Sequence, residues 1–556
     1  MFEKNLQYIN NDALKQRLQK ISVTESRMGV SYCITPSNDY VLLKDDLPSD
    51  DLNNPREAIR KMFETNIKSE MKASDIIINF GIGLGYLLDE TFNTYPSRIY
   101  VYEPDIKLLH FVLNNVDISE HLASGRVYIT NDLNELSAKI SQTFLNRDKV
   151  EIVYLQNYAV VKNKELLQLT QRIYDTCKSK MVDVNTISKF SEVWLNNELE
   201  NIAEINNRGV KLLSDLENKY VGQTALIAGA GPSLADNINE IKANRDKLII
   251  IAVNKAAGYL IENSVTPDFV VSLDARNMDT TLGGLESRFG MVNCIFDIRT
   301  DSHILSKGFK DYYVNFGTSD SVARKLADYN KFMNFNETGG TASTLAFISA
   351  VKMGFSRIVF AGIDLAFKDN TAYASGAQLN RISPDEIMAD GIKKNLVQVR
   401  SVTGGKVYTR DDYEAFIGHF VHLIKESGYS EIYNVSSFGA YIEGVKNVKF
   451  DDLYLYAPAV NVSLDDIPYR KFDITDFVQE EFKNINNIIA MLSKSTFSPA
   501  LVSSIVKSVL VYQYMQGEIV NVLQSNFEER LAQEFIDKTK SAIKSVVDTL
   551  QRTKLI

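Results

Sequence analysis

Residues 224–234 read TALIAGAGPSL, and residues 338–343 read TGGTAS. In the first stretch, Gly229 and Gly231 permit positive φ and close approach of a ligand to the backbone. Pro232 suits the first turn of a helix, and the N–H groups that follow, beginning at Ser233, have no partner inside a nascent helix. Such a turn is a cradle for phosphate. A strand-to-helix turn that binds nothing has the same composition, and a lone Gly-x-Gly does not decide between the two. In the second stretch, Gly339 and Gly340 leave room at a helix start, and the hydroxyls of Thr338, Thr341 and Ser343 can bond a phosphate or a carboxylate. An ordinary capped helix would use the same residues. Four apolar runs then deliver polar residues at their carboxyl ends: 247–253 leads to Asn254, 269–273 to Asp274, 293–296 to Asp297, and 357–361 to Gly362, Ile363 and Asp364. Open α/β sheets bind their ligands at that edge. Asp274, Asp364 and Glu337, beside the TGG turn, are therefore the visible candidates for acid–base chemistry. Each acid taken singly is also a common helix cap or turn former.

A third glycine-rich turn lies near the amino terminus. The apolar run 75–80 enters GIGLG at 81–85, a helix-like YLLDETF follows, and a second run, 98–102, ends on Glu103. Strand, glycine turn, helix, strand and terminal acid is the pattern that grips a nucleoside, the acid accepting hydrogen bonds from ribose hydroxyls. It fits an S-adenosylmethionine or dinucleotide site, and equally a Rossmann-like domain with no ligand. No catalytic constellation follows Glu103, so the expectation is a structural turn.

These residues need an α/β scaffold. A lead-in helix, short strands near 31–34 and 40–43, and a helix from 55 to 71 precede the first sheet, which further strands at 126–129 and 150–155 should complete as a parallel one. Residues 162–180 and 187–207 have helical periodicity without glycine or proline. Trp194, the one tryptophan of the chain, falls there and is expected in a core or interface. The central domain follows, ending in a polar loop at 375–400, a hairpin-like segment, and a helix bearing His419 and His422. These two stand three residues apart with no third ligand in view, and are expected as helix-surface or core histidines rather than metal ligands. Beyond Leu464, three amphipathic stripes predict a small helical bundle. The expected division is 1–160, 161–210, 211–460 and 461–556.

Composition narrows the function. The 556 residues exceed one ordinary core. A net charge of −9 argues against nucleic acid as a partner. Three widely spaced cysteines, Cys33, Cys177 and Cys294, indicate neither a disulfide framework nor a zinc site, and point to the cytoplasm. The charged start has no apolar signal core and no run is long enough for a membrane span, so the expectation is a protein neither secreted by a signal peptide nor integral to a membrane.

GAGPSL, PDFVVSLDA, the long run 338–367 and TAYASG together resemble the motility-associated factor glycosyltransferases that modify bacterial flagellin, over roughly residues 70–450. The resemblance implies an α/β fold class: a Rossmann-like amino-terminal domain, a central Rossmann domain similar to that of bacterial sialyltransferases, and a carboxyl-terminal helical bundle. It implies transfer of a nonulosonic acid, pseudaminic- or legionaminic-type, from a CMP-activated donor to Ser or Thr of flagellin, in the cytoplasm. Carried over by motif, CMP would be surrounded by Gly229, Gly231, Pro232, Ser233, Asn254, Thr338, Gly339, Gly340 and Thr341. Tyr373 of TAYASG matches a tyrosine that assists phosphate departure, and Ala366 stands where a second is found. The catalytic-base histidine of those sialyltransferases has no counterpart, because no histidine lies between His303 and His419. CMP leaves as a monophosphate, so hydroxyl and backbone donors can replace a divalent ion, and no obligatory metal or other cofactor is expected. Three rival readings stand beside this one: a pterin pyrophosphokinase-like transferase using ATP and Mg²⁺, a flagellin-binding chaperone with inert Rossmann domains, and a methyltransferase built on residues 81–103.

Overall fold

A computed structural model describes residues 1–66, 71–145, 148–276, 278–367, 396–453, 455, 459–460, 462–493, 497–524 and 529–555. The chain forms two compact units, Met1–Asn185 and Thr186–Ile556.

In the first unit, four parallel strands lie in the order Val127–Thr130, Arg98–Tyr102, Ile76–Phe80, Val150–Tyr154. The two central strands, Arg98–Tyr102 and Ile76–Phe80, are buried on both faces, while the edge strand Val150–Tyr154 is half-buried. A separate antiparallel sheet pairs Val30–Ile34 with Tyr40–Lys44 and the latter with Leu47–Pro48. The periodic stretches 162–180 and 187–207 fuse into one helix, Asn163–Arg208, because neither glycine nor proline interrupts them.

The second unit is built on a ten-stranded parallel sheet. From one edge the order is Phe335–Asn336, Tyr312–Gly317, Asn293–Asp297, Phe269–Ser272, Ile249–Val253, Thr224–Ala228, Arg357–Ala361, Ile432–Asn434 and Lys446–Asn447, with Lys211–Leu212 also pairing to the Tyr312 strand. Because side chains alternate along a strand, each run feeds two cores. Leu226, Ile250, Val270 and Phe296 join one, with Leu195, Leu199 and Ile202 of the long helix and with the carboxyl-terminal helices. Ile227, Ile251, Val271 and Phe360 join the other, against the helices Ala342–Met353 and Asp411–Ser427.

Among the described residues, four helices, not three, follow residue 474: Thr475–Leu492, Pro499–Lys507, Val509–Gln524 and Glu529–Arg552. The break at Ser508 is held from a distance. Buried Glu481 accepts from the Ser508 hydroxyl at 2.7 Å and from the N–H groups of Val509 and Leu510 at 3.2 and 3.1 Å, adding to the local cap in which the Ser508 hydroxyl accepts from the Val511 N–H at 3.3 Å. Among the described residues, no helix is long and apolar enough to cross a membrane.

Candidate functional site at the carboxyl edge of the central sheet

The chain leaves the Thr224 strand toward one edge of the sheet and returns to its other side with the Arg357 strand. The crevice between these two strand ends is a topological switch point, the position at which parallel sheets open a ligand site. Here the two loops are pressed together. The Gly229 N–H donates to Ala361 O and the Gly231 N–H to Gly362 O, each at 2.8 Å. A Cβ at Gly229 would lie 2.3 Å from Gly362 O, and one at Gly231 would lie 2.6 Å from Asp364 Oδ2. Neither glycine has positive φ. Their smallness serves the approach of one loop to the other rather than a strained turn.

Asp364 completes that closure. Gly362 at φ +73° and Leu365 at φ +45° bend the strand end back over the GAGPS turn. The Asp364 carboxylate then accepts from the Ser233 N–H at 2.8 Å and from the Ser233 hydroxyl, which also meets the Ser436 hydroxyl at 2.7 Å. Asp364 is only 2% exposed, and that burial pushes its carboxyl above the usual range while the Ser233 bonds pull it back. The sequence expects unpaired N–H groups after Pro232; in the structure Ser233 gives its own to Asp364, Leu234 to Gly231 O and Ala235 to Pro232 O. Ala230 and Gly231 remain the half-exposed part of the turn.

Beside this turn, Asn254 opens the helix Asn254–Glu262, is 1% exposed, and donates to Asp274 Oδ2 at 2.7 Å. Asp274 is half-buried. The next strand end is sealed: buried Asp297 is paired with Arg299 at 3.1 Å, and Arg299 reaches Asp320 at 3.5 Å.

The helix Ala342–Met353 precedes the parallel Arg357 strand, so it runs against the strands and its amino end lies at the same edge. Thr341 caps it, forming a reciprocal box with Thr344, and the Thr344 hydroxyl donates to Thr338 O at 2.6 Å. Gly339 and Gly340 have φ of +63° and +80°, a conformation that asks for glycine. A Cβ on Gly339 would also lie 2.7 Å from Leu423 Cδ1. Against this turn the helix Asp411–Ser427 brings both histidines that the sequence reading set aside. His419 Nδ1 is 2.7 Å from Gly339 O, and His422 Nε2 is 3.6 Å from Glu337 Oε2, both side chains of the latter pair being largely exposed. A carbonyl oxygen only accepts, so in the neutral ring Nδ1 carries the hydrogen and Nε2 keeps its lone pair. Ring orientation and tautomer are thus set by a backbone atom 80 residues away. Periodicity marks the helix of His419; nothing local marks its contact.

The expected residues are therefore distributed as follows: Gly229, Gly231, Pro232, Ser233 and Asp364 form one closed unit, Asn254 and Asp274 a second, and Glu337, Thr338, Gly339, Gly340 and Thr341 a third with His419 and His422. Tyr373 lies outside the described residues. Among those described, no group of three or more His, Cys, Asp or Glu is arranged to hold a metal ion.

The glycine turn of the first unit is filled from within. Buried Glu103 accepts from the Ile82 N–H at 3.1 Å, the Asp105 N–H at 2.9 Å and the Tyr158 hydroxyl. The Tyr158 ring covers Gly81, where a Cβ would lie 2.6 Å from Cδ1. Asp50 sits over Gly83, its Oδ2 3.0 Å from the position of a Cβ there. Burial pushes the Glu103 carboxyl up to about 7 and that of Asp50 up to about 6.

The whole chain shares its fold with a MAf glycosyltransferase from Magnetospirillum magneticum AMB-1: TM-score 0.64 at 14% sequence identity, covering 100% of this chain and 96% of that one. A family model described as 6-hydroxymethylpterin diphosphokinase MptE-like matches residues 196–370. An uncharacterized protein of Treponema pallidum (strain Nichols) is 25% identical over 166 residues, 29% of this chain and 77% of that protein. The likeness drawn from GAGPSL and its companion motifs is thus met again in the fold of the full chain, and the α/β class expected from the strand-and-turn pattern is the one observed.

Proposed function

We propose that this chain is a glycosyltransferase that moves a nonulosonic acid of the pseudaminic or legionaminic type from its CMP-activated donor to serine or threonine hydroxyls of flagellin, acting in the cytoplasm. The observation that carries the reading is the fold shared with a glycosyltransferase over 100% of this chain and 96% of that one. CMP is held at the carboxyl edge by the half-exposed backbone of Ala230 and Gly231, by Asn254, and by the Thr338–Thr341 turn, with Asp364 and Ser233 fixing the shape of the cradle rather than touching the nucleotide. No metal is obligatory. His419 is the base: its Nε2 takes the proton of the acceptor hydroxyl as that oxygen bonds to the anomeric carbon, while the bond from that carbon to the donor phosphate oxygen breaks and CMP departs with the electron pair. Hydroxyl and N–H donors at the helix start Thr341–Ala342 offset the charge growing on the phosphate, a contribution larger in the transition state than in the bound donor. Tyr373 adds a further donor on the strength of its motif. Asp274 and Glu337 are assigned to orientation of Asn254 and of His422.

Calorimetry with CMP, ATP and S-adenosylmethionine, followed by mass spectrometry of flagellin incubated with the CMP-sugar, tests the proposal. Binding of CMP alone and a mass gain of one sugar per modified hydroxyl are expected. ATP binding with release of AMP in the presence of a hydroxymethylpterin would replace this reading with the pterin diphosphokinase one, which the match over residues 196–370 favours. Binding of flagellin with no nucleotide bound and no transfer would leave a chaperone.

A further inference from the structure

Within the second unit, the long helix Asn163–Arg208 buries three polar side chains, Asn197, Glu198 and Asn201, on a stretch whose Leu195, Leu199 and Ile202 belong to the core. The two asparagines stitch the helix to the segment that follows the strand Asn293–Asp297. Asn197 Nδ2 donates to Ala275 O at 2.9 Å and to Arg299 O at 3.1 Å, and Asn201 Nδ2 donates to Ile298 O and Thr300 O, both at 2.8 Å. Glu198, between them, is 0% exposed.

The charges that act on Glu198 are those of Asp320, Arg299 and Asp297: the cap of the helix Ser321–Leu326, the segment after the strand, and the strand end itself. Asp297 and Asp320 are fully buried, and Arg299 stands 3.1 Å from the first and 3.5 Å from the second. With all three acids ionised, one guanidinium would leave two negative charges uncompensated in the core. A buried carboxyl avoids that cost by keeping a proton.

The hydrogen bonds say which acid keeps it. Asp297 accepts from the Arg299 N–H at 3.1 Å and from Asn315 Nδ2 at 3.3 Å, and Asp320 Oδ1 accepts from the Ala323 N–H at 3.0 Å. Donors of this kind favour the ionised form. Among the described residues, neither oxygen of Glu198 has a hydrogen-bond partner, and Asp320 Oδ2 has none beyond its ion pair with Arg299, although Glu198 and Asp320 lie within reach of each other. Two ionised carboxylates only accept, so they cannot bond; one proton between them satisfies both. Burial first, and then the charge of Asp320, push the Glu198 carboxyl well above the usual range against the pull of Arg299.

We propose that Glu198 is a proton-binding site: it stays a neutral acid at neutral pH and donates its hydrogen to Asp320 Oδ2, joining the long helix to the cap of the helix Ser321–Leu326. Loss of that proton turns the joint from a bond into a repulsion. The site uses none of the residues assigned to CMP or to the acceptor.

Infrared difference spectroscopy of the full chain, wild type against Glu198→Gln, reads the proton at neutral pH, where exposed carboxyls are ionised. The carbonyl stretch of a protonated carboxyl should be present in the wild type and missing from the variant. Urea unfolding gives a second reading, because glutamine does not titrate. Above the ordinary carboxyl value of 4.5, the unfolded wild type gives up its proton while the folded one keeps it. The ratio of wild-type to variant unfolding constants should therefore grow by about tenfold per pH unit until the folded group ionises too. If Glu198→Gln does not fold, Glu198→Asp keeps an acid at the site, and its band should move rather than vanish. No difference band, a ratio independent of pH, or an unmoved band in Glu198→Asp overturns the proposal, since Glu198 would then be ionised. Wild-type stability that falls when choline replaces sodium and potassium at constant ionic strength, with no such fall in Glu198→Gln, would put a cation where the proton is assigned and would overturn it as well.

Discussion

Two glycine-rich turns of this chain look alike in sequence and end in different states. Each follows a buried parallel strand, each opens a helix, and each has an acid delivered by a neighbouring strand end: Glu103 for the Gly81 turn, Asp364 for the Gly229 turn. In the first unit that acid satisfies the Ile82 N–H, a tyrosine ring lies on the first glycine, and a second buried acid stands over Gly83. Two acids and an aromatic ring thus stand over the glycines and take up the backbone donors that a nucleoside would use. In the central unit a single acid closes the turn from beneath, Ala230 and Gly231 stay half-exposed, and a second glycine-bearing helix start with a tautomer-fixed histidine stands at the same edge. The pattern of glycine turn and strand-end acid marks where backbone donors need an acceptor. It does not say whether a ligand or the chain itself supplies one.

The largest effect that separates the two turns is catalytic. His419→Ala should lower the rate of sugar transfer by about 10²- to 10⁴-fold, a loss far larger than any weakening of CMP binding from the freed Gly339 carbonyl. Steady-state kinetics with CMP binding measured alongside decide it. A variant that transfers at the wild-type rate would reduce His419 to a clamp on the Gly339 carbonyl.

Asp364 comes next. In Asp364→Ala the buried N–H of Ser233 loses its acceptor and its hydroxyl keeps only Ser436, and urea unfolding should report a loss of about 1 to 3 kcal/mol. Asp364→Asn keeps an acceptor for the N–H and a donor for the hydroxyl, and should retain most of the stability. If both variants were equally destabilised, the charge rather than the hydrogen bonds would be holding the turn, and the likeness between Asp364 and Glu103 would be closer than their surroundings suggest.

How much of this was legible beforehand follows from the range of each interaction. The strand Thr224–Ala228 is an apolar run closed by glycine, and Ile76–Phe80 departs from one only at Asn79, so their type and burial are local facts. Tyr312–Gly317 was not anticipated: Asp311 and Asn315 interrupt its apolar run, and what keeps these polar groups buried is a lysine, Lys211, 3.0 Å from Asp311, and an asparagine, Asn336, 2.8 Å from Asn315. The carboxyl-terminal break at Ser508 depends on Glu481, 27 residues earlier. The site follows the same rule. Its glycines and strand-end acids were readable because their spacing is short; that Ser233 belongs to Asp364, 131 residues on, and Gly339 to His419, is decided by sheet order alone.

A smaller effect sharpens the comparison from the side of the filled turn. Glu103, with its carboxyl raised from 4.5 to about 7, prefers to be protonated in the folded protein. Its contribution is full below pH 4.5 and is lost as pH rises to about 7; Asp50 acts with the same sign between 3.8 and about 6. The first unit should therefore lose stability by about 1 kcal/mol per pH unit for each such group across its window, the opposite of a salt-bridged carboxylate. Hydrogen exchange of amides in the Ile76–Phe80 strand, corrected for intrinsic rates between pH 5 and 7, measures this. A flat profile would mean that the two acids are solvated and that the turn is open.

The smallest expected effect is that of Tyr158→Phe. The hydroxyl of Tyr158 is one of three donors to Glu103, and its removal leaves the ring over Gly81 in place. The loss should be about 0.5 to 1.5 kcal/mol, the net value of one hydrogen bond, and the Glu103 carboxyl should rise further because a donor to its charged form is gone. Tyr158→Ala differs in kind, since it empties the volume above the turn while Glu103 keeps its two backbone donors. If the filled turn is a nucleoside site closed by its own side chains, adenosine should bind Tyr158→Ala and neither the wild type nor Tyr158→Phe, and calorimetry reads the difference directly. Adenosine binding to the wild type would show that the ring yields to a ligand, and the contrast between the two turns would become one of affinity rather than of occupancy.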